Sequence, residues 1–287
     1  MNETLIIVGN GFDLAHNLDT KYGDYRNFLI QNDNLEIVKY FESNSGDVDP
    51  KALWNNIEES IGLLAYEDAY IFLKKYGDDD WRDSYHHDFQ NEVEKKSLYW
   101  PGIKDNLREW IKSINYTKPR SNLLNFIKKE YKYLSFNYTS TLEFFYNINP
   151  DNICYLHGNA LRDEELILGH AHQSYYPEWD DNEDTDVRLL EAGEFMENFR
   201  EETIKNVSEI IKQNIDFFNS SVNFKKIYVL GLSYNEVDLP YLKFISDNNP
   251  NAEWYFSWFS DSDFTDIDEF AFKINVKEYE KVQIDTL

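Results

Sequence analysis

The sequence has little of what extracellular and membrane-spanning proteins depend on. Its 287 residues include one cysteine, Cys154, so neither an intramolecular disulfide nor a zinc site with several cysteines can form. No stretch approaches the roughly 20 consecutive apolar residues of a membrane-spanning helix. From these absences we expect a cytoplasmic protein that does not associate with a membrane.

Basic residues, glycine and proline are also scarce. There are 28 Lys and Arg against 53 Asp and Glu, which gives a formal net charge of −25. Because duplex nucleic acid is bound by clustered Lys and Arg, we expect no direct contact with a duplex. With 11 glycines and 7 prolines the loops should be few, whereas 7 Trp, 21 Tyr and 20 Phe supply ample surface for a folded core.

Short apolar runs of strand length alternate with helical periodicity along much of the chain. The first, Leu5–Val8, is rich in β-branched residues and is followed directly by glycine, as in a strand buried on both faces. Further strands are predicted at Tyr131–Phe136, Ile153–Leu156, Leu166–Leu168, Ile227–Leu230 and Trp254–Phe259. This alternation predicts an α/β fold with a Rossmann-like, mostly parallel sheet.

A helical insertion of about residues 45–131 interrupts the strands. Asp49 and Pro50 form a helix start, and apolar residues then recur at spacings of three and four, with a last helix predicted from Ser121 through Ile127. The acidic run Asp180–Asp186 predicts an exposed loop of about residues 176–190. Since no separate linker is visible, we predict one Rossmann-like domain over residues 1–287.

A glycine turn follows the first strand. Gly9, Asn10, Gly11, Phe12 and Asp13 stand where a strand gives way to a short helix, and such a turn directs backbone amides at an anion above the sheet edge. The alternative is a purely structural turn between strand and helix. Shortly after it, Thr20 is placed to cap a second helix.

Polar residues also follow three later strands. Asn137 comes after one strand, and His157 comes after the next, twenty residues on. Gly231 and Ser233 follow a third. In a parallel sheet all of them emerge at the edge that carries the glycine turn, where an amide and an imidazole suit ribose recognition and proton transfer. Alternatively, His157 could join His170 and His172 in a metal site.

Together these segments resemble the AbiH family of bacterial phage abortive-infection proteins. The resemblance rests on Ile6–His16, Ser135–Thr139, Tyr155–Gly158, Leu166–His170 and Gly231–Pro240, in that order, and it covers almost the whole chain. The family is similar in motif order to sirtuin-like domains of bacterial defence systems, which bind NAD and often hydrolyse it.

The resemblance to sirtuin-like domains implies roles for single residues. Gly9 and Gly11 match their glycine turn, with Asn10, Phe12 and Thr20 beside it, and Gly231 and Ser233 match the segment near adenosine. Asn137 matches the asparagine at the nicotinamide ribose, and His157 the base. The arginine that sirtuin-like domains carry shortly after the glycine turn has no counterpart at the matching position, where Lys21 or Arg26 could substitute for it. The zinc-binding cysteines are also missing, so neither a metal nor protein deacetylation is implied.

The implied function is antiphage defence through cleavage of NAD to nicotinamide and ADP-ribose. Asp13 would supply a negative field for the cationic ribose, beside Asn137 and His157 as the other catalytic residues. One alternative is a nucleotide-binding sensor without turnover, and another is a metal-dependent phosphohydrolase. A second copy of the chain or another defence protein is the expected partner, in addition to the nucleotide.

Overall fold

A computed structural model describes residues 3–43, 49–55, 57–58, 60–61, 99, 101–117, 124–162, 164–170, 198, 201–220, 223–234 and 237–284. The chain forms two compact units. Unit 1 comprises Met1–Lys21, Glu109–Ile167 and Asn206–Leu287, and unit 2 comprises Tyr22–Arg108 and Leu168–Lys205. The two segments of unit 2 are therefore both insertions into the chain of unit 1.

Unit 1 is built on six parallel strands in the order β3-β2-β1-β4-β5-β6. The strands are β1 Thr4–Val8, β2 Lys132–Ser135, β3 Ile153–Tyr155, β4 Lys226–Leu230, β5 Glu253–Ser257 and β6 Tyr279–Val282. This is the strand order of dinucleotide-binding Rossmann folds. The prediction of an α/β, Rossmann-like sheet is confirmed, and every pairing is parallel.

Helices pack on both faces of this sheet. Those of unit 1 are α1 Asn10–Ala15, α6 Thr141–Tyr146, α7 Val207–Gln213, α8 Ile215–Ser220, α9 Leu239–Asn248 and α10 Asp261–Lys273, with two 3₁₀ turns at Pro150–Asn152 and Ala160–Arg162. Alternate residues of β1 enter opposite cores, Leu5 and Ile7 on one face and Ile6 and Val8 on the other. Both faces are therefore apolar, as parallel sheets require.

Unit 2 contains α2 Tyr22–Gln31, α3 Leu35–Ser43 and α4 Pro50–Asn55. Residues 101–113 are helical and are called α5; residues 101–108 belong to unit 2 and 109–113 to unit 1. The predicted helix start at Pro50 is confirmed. Apolar positions of the insertion are buried, including Leu53, Trp54 and Ile57. The acidic run of residues 180–186 lies outside the described residues.

The structure corrects three local predictions. Leu166–Leu168 is not a strand: its leucines are buried, but the segment has no ladder with a sheet strand. Leu124–Ile127 is a turn, not a helix: Ile127 N–H donates to the Leu124 carbonyl at 3.3 Å, and residues 121–123 of the predicted helix lie outside the described residues. Helix α2 begins at Tyr22, and the Thr20 hydroxyl, which has no hydrogen-bond partner among the described residues, does not cap it.

Candidate functional site

The candidate site lies at the carboxyl edge of the sheet in unit 1. Strands β2 and β3 follow β1 on one side of it, whereas β4, β5 and β6 follow on the other side. The direction of the strand order therefore reverses between β1 and β4. Open α/β sheets bind ligands at such a switch point. Gly9 follows β1 here, and Gly231 follows β4.

The glycines at the switch point are required by a close backbone crossing. A Cβ on Gly9 would lie 2.7 Å from the Gly231 carbonyl oxygen, and one on Gly11 would lie 2.7 Å from the Gly231 Cα. Gly231 itself has φ +67, and its Cβ would lie 2.1 Å from the Phe12 nitrogen. Any side chain here would force the loops after β1 and β4 apart.

The same crossing engages the amides of the glycine turn. Gly11 N–H donates to the Gly231 carbonyl at 2.8 Å, and Phe12 N–H donates to the Gly9 carbonyl at 2.9 Å. These two donors, expected to face an anion, are bonded within the chain. The ligand-binding role of the turn stays a prediction, whereas its structural role is visible directly.

Asp13 is buried at the start of α1 and is 1% exposed. Both carboxylate oxygens accept short hydrogen bonds, Oδ2 from the Thr139 hydroxyl and Oδ1 from the Thr141 hydroxyl, each at 2.6 Å. Burial raises the pKa of Asp13 to about 6, against the opposing effect of hydrogen bonds from Thr139, Thr141 and Asn137. The carboxyl group therefore titrates close to neutral pH.

Asn137 joins the loop after β2 to the loop after β1. Its Nδ2 donates to the Gly9 carbonyl at 2.9 Å, and its backbone N–H donates to the Ser135 hydroxyl at 3.2 Å. With Asp13 and the two threonines it forms the Asp13 cluster, by which we mean Asp13, Asn137, Thr139 and Thr141. Two of the predicted catalytic residues, Asp13 and Asn137, are thus brought together.

His157 follows β3, and its side chain is 3% exposed. Its imidazole centroid lies 5.5 Å from that of Phe136, 6.4 Å from that of Tyr138 and 6.1 Å from that of Tyr241. The next residue, Gly158, has φ +81, and a Cβ there would meet the Glu165 carbonyl at 2.1 Å. The strand end and the glycine hold His157 in an aromatic pocket.

The remaining predicted ligand-binding residues differ in exposure. Asn10 and Ser233 are exposed, whereas Thr20 is 5% exposed. Asn10 Nδ2 donates to the Thr20 carbonyl at 2.9 Å, which ties Thr20 to the glycine turn. Arg26, a possible replacement for the missing arginine, lies in unit 2 and pairs with Glu42 at 2.6 Å.

The alternative metal site involves residues that the structure describes only in part. His170 is buried in unit 2, where its backbone bonds to Thr203 and Lys205, and His172 lies outside the described residues. Among the residues with a described position, no three His, Cys, Asp or Glu side chains are grouped to hold a metal ion. Likewise, no helix in the described parts is long and apolar enough to cross a membrane.

Thr139 and Thr141 were not predicted as site residues. They lie 126 and 128 residues from Asp13 in the sequence, so no local pattern links them to it. The one available signal is the density of hydroxyl groups directly after β2, in Thr139-Ser140-Thr141.

The strand order and the polar loops at the switch point define an α/β protein of the Rossmann type. The chain belongs to the bacteriophage abortive infection AbiH family, whose model matches residues 5–258. The comparisons with curated proteins and with solved structures found no match. Family membership, like the fold, agrees with what the sequence motifs predict.

Proposed function

We propose that the protein acts in abortive infection by binding NAD at the carboxyl edge of the sheet and hydrolysing its N-glycosidic bond. The observation that carries the proposal is the Asp13 cluster: a buried carboxylate with neutral partners, hydrogen-bonded to the loop after β2 next to a Rossmann switch point. A buried group that titrates near neutral pH is more typical of a functional site than of a core.

The reaction breaks the bond between C1′ of the ribose and the pyridinium nitrogen. Nicotinamide leaves as a neutral molecule with the bonding electron pair, water adds to C1′, and one proton is released. Because the leaving group is neutral, no general acid is required. The positive charge that develops on the ribose must be stabilised, and a preorganised negative charge in a dry site does this best.

Three residues have a task in this scheme: Asp13, Asn137 and His157. Asp13 supplies the negative field, because at pH 7 most of it is ionised when its pKa is about 6. With Nδ2 of Asn137 bonded to Gly9, the Oδ1 atom is the one that can accept a hydrogen bond from a ribose hydroxyl or from water. His157 accepts the proton of the attacking water.

The test is chromatographic detection of nicotinamide and ADP-ribose after incubation of the full chain with NAD. Asn137→Ala and His157→Ala remove the amide and the imidazole, and each should lower product formation by at least about 100-fold, the lower end of the loss expected for one catalytic group. Phe272→Ala, at an exposed site on α10, is the matched control and should keep the activity. A thermal melt of each variant separates loss of chemistry from loss of fold.

Other outcomes would favour the alternatives. Saturable binding of NAD without product would indicate a sensor that does not turn over its ligand. AMP and nicotinamide mononucleotide in place of nicotinamide and ADP-ribose, with their formation lost in a chelator, would indicate the metal-dependent phosphohydrolase. Unchanged cleavage in both site variants would overturn the assignment of Asn137 and His157.

A further inference from the structure

The loop after β5 presents an aromatic ring that the fold does not use. Phe259 is 96% exposed. It directly precedes Ser260, the N-cap of α10. An apolar residue just before an N-cap commonly packs against the fourth residue of the helix, which is Phe264 here. Trp258 takes that place instead, with its ring centroid 5.3 Å from that of Phe264. The Phe259 ring is left in solvent.

The backbone that carries this ring is held firmly. The N–H groups of Phe259 and Ser260 donate to the Asp263 carboxylate at 3.1 and 2.9 Å, and the Ser260 hydroxyl accepts the Asp263 N–H at 3.2 Å. Trp258 N–H donates to the Val282 carbonyl of β6 at 3.0 Å. Binding of a ligand to this ring therefore does not require the backbone to become ordered.

The ring belongs to the same edge of the sheet as the switch point. Gly231 N–H donates to the Ser257 hydroxyl at 2.7 Å, and the Tyr234 hydroxyl donates to the Ser257 carbonyl. Ser257, at the end of β5, is thus bonded directly to the loop after β4, and Phe259 lies two residues after Ser257. Asn137, after β2, is three strand spacings away from β5, about 14 Å.

We propose that Phe259 is the stacking platform for the adenine base of the bound dinucleotide. The inference rests on the proposed function and deepens it: the reacting ribose lies over β1 and β2, and the base lies over β4 and β5. A dinucleotide on this fold places one mononucleotide over each half of the sheet. The neighbouring carboxylates of Asp261 and Asp263 disfavour a phosphate group at Phe259, whereas a neutral base stacks on its face.

The test compares the binding of two ligands by calorimetry, ADP-ribose, which contains adenine, and nicotinamide mononucleotide, which does not. Phe259→Ala should weaken ADP-ribose binding by roughly 5-fold or more, as expected for the loss of a stacked base, and leave nicotinamide mononucleotide unaffected. Phe259→Tyr should retain binding. Phe272→Ala is the matched control, because Phe272 is 81% exposed near the other end of α10.

The outcomes separate this inference from the proposed function. If the unchanged protein binds ADP-ribose and Phe259→Ala binds it equally well, the proposed stacking of adenine on Phe259 is wrong, whereas the proposed nucleotide site is not contradicted. An equal loss for both ligands would also contradict the platform, since it would show no dependence on adenine. If the unchanged protein binds neither ligand, the inference and the proposed function fall together.

Discussion

Two carboxylates, one in each unit, are stabilised in opposite ways. Glu58 in unit 2 pairs with Lys205, whose buried Nζ lies 2.9 Å from both carboxylate oxygens. Asp13 in unit 1 is more deeply buried, yet the groups that lower its pKa are two threonine hydroxyls and an amide. In unit 2 a cation therefore neutralises the carboxylate, whereas among the described residues Asp13 is stabilised by hydrogen bonds from neutral groups.

The difference indicates what each carboxylate does. A buried ion pair holds its two segments together, and removal of one partner leaves an uncompensated charge. An unneutralised carboxylate that is kept buried costs free energy at neutral pH, so its retention points to a task other than stability. We therefore expect a functional role for Asp13, as proposed above, and a structural role for Glu58.

The largest effect is expected when the ion pair is broken. Lys205→Met keeps the volume of the buried stem but leaves Glu58 without its cation, which should lower the free energy of unfolding by about 3 kcal/mol. The measurement is the midpoint of thermal and urea unfolding. Lys212→Met removes an exposed pair with Glu209 and is the control, expected to change little. Equal effects of the two variants would contradict the structural role of Lys205.

A smaller effect of the opposite sign is expected for Asp13→Asn. A rise of about two pKa units corresponds to a cost of roughly 3 kcal/mol for the ionised form, which is an upper limit. The neutral amide can still pair with Thr139 and Thr141, so the variant should be about 2 kcal/mol more stable than the unchanged protein at pH 7.5. Thermal melting across pH measures this.

The pH dependence of that gain has a definite sign. The folded protein keeps a proton on Asp13 up to pH of about 6, whereas the unfolded chain loses it near 3.8. Unfolding between these values releases a proton, so the free energy of unfolding falls as the pH rises through this window. The advantage of Asp13→Asn should therefore disappear near pH 4, and an advantage that is constant from pH 4 to 8 would disprove the raised pKa.

The smallest effect is expected when one hydroxyl is removed from the Asp13 cluster. Thr139→Val takes a donor from the buried carboxylate at nearly constant volume, which should destabilise the protein by about 1 to 2 kcal/mol at pH 7.5. Thr139→Ser keeps the hydroxyl and is the matched control. At pH 4, where Asp13 is protonated in the folded state, the cost of Thr139→Val should shrink; a cost independent of pH would indicate a packing defect.

The sequence predicted the framework of the sheet better than its details. Continuous apolar runs such as Leu5–Val8 mark buried parallel strands, because both faces are covered. Strand β6, Tyr279–Val282, was missed because it is short and lies at the sheet edge, with polar residues in alternation. The run Trp254–Phe259 was predicted two residues too long, since Trp258 and Phe259 are aromatic although they lie outside the strand.

The candidate site was predictable only in part. Asn137 and Asp13 carry local signals, because each follows a strand in a turn-like context. Their contact partners do not, since pairing Asp13 with Thr139 depends on which strands become neighbours. The reason for glycine at position 231 was equally hidden, because the backbone crossing over Phe12 arises only in the folded sheet.

The most direct test of the central claim measures stability and chemistry in one variant. Nicotinamide release from NAD by Asp13→Asn is compared with that of the unchanged protein at pH 7.5, beside their melting temperatures. We expect the variant to melt higher yet release nicotinamide at least about 100-fold more slowly, because it lacks the charge that stabilises the cationic ribose. A variant that cleaves NAD at the unchanged rate, or an unchanged protein that yields no nicotinamide, would contradict the account.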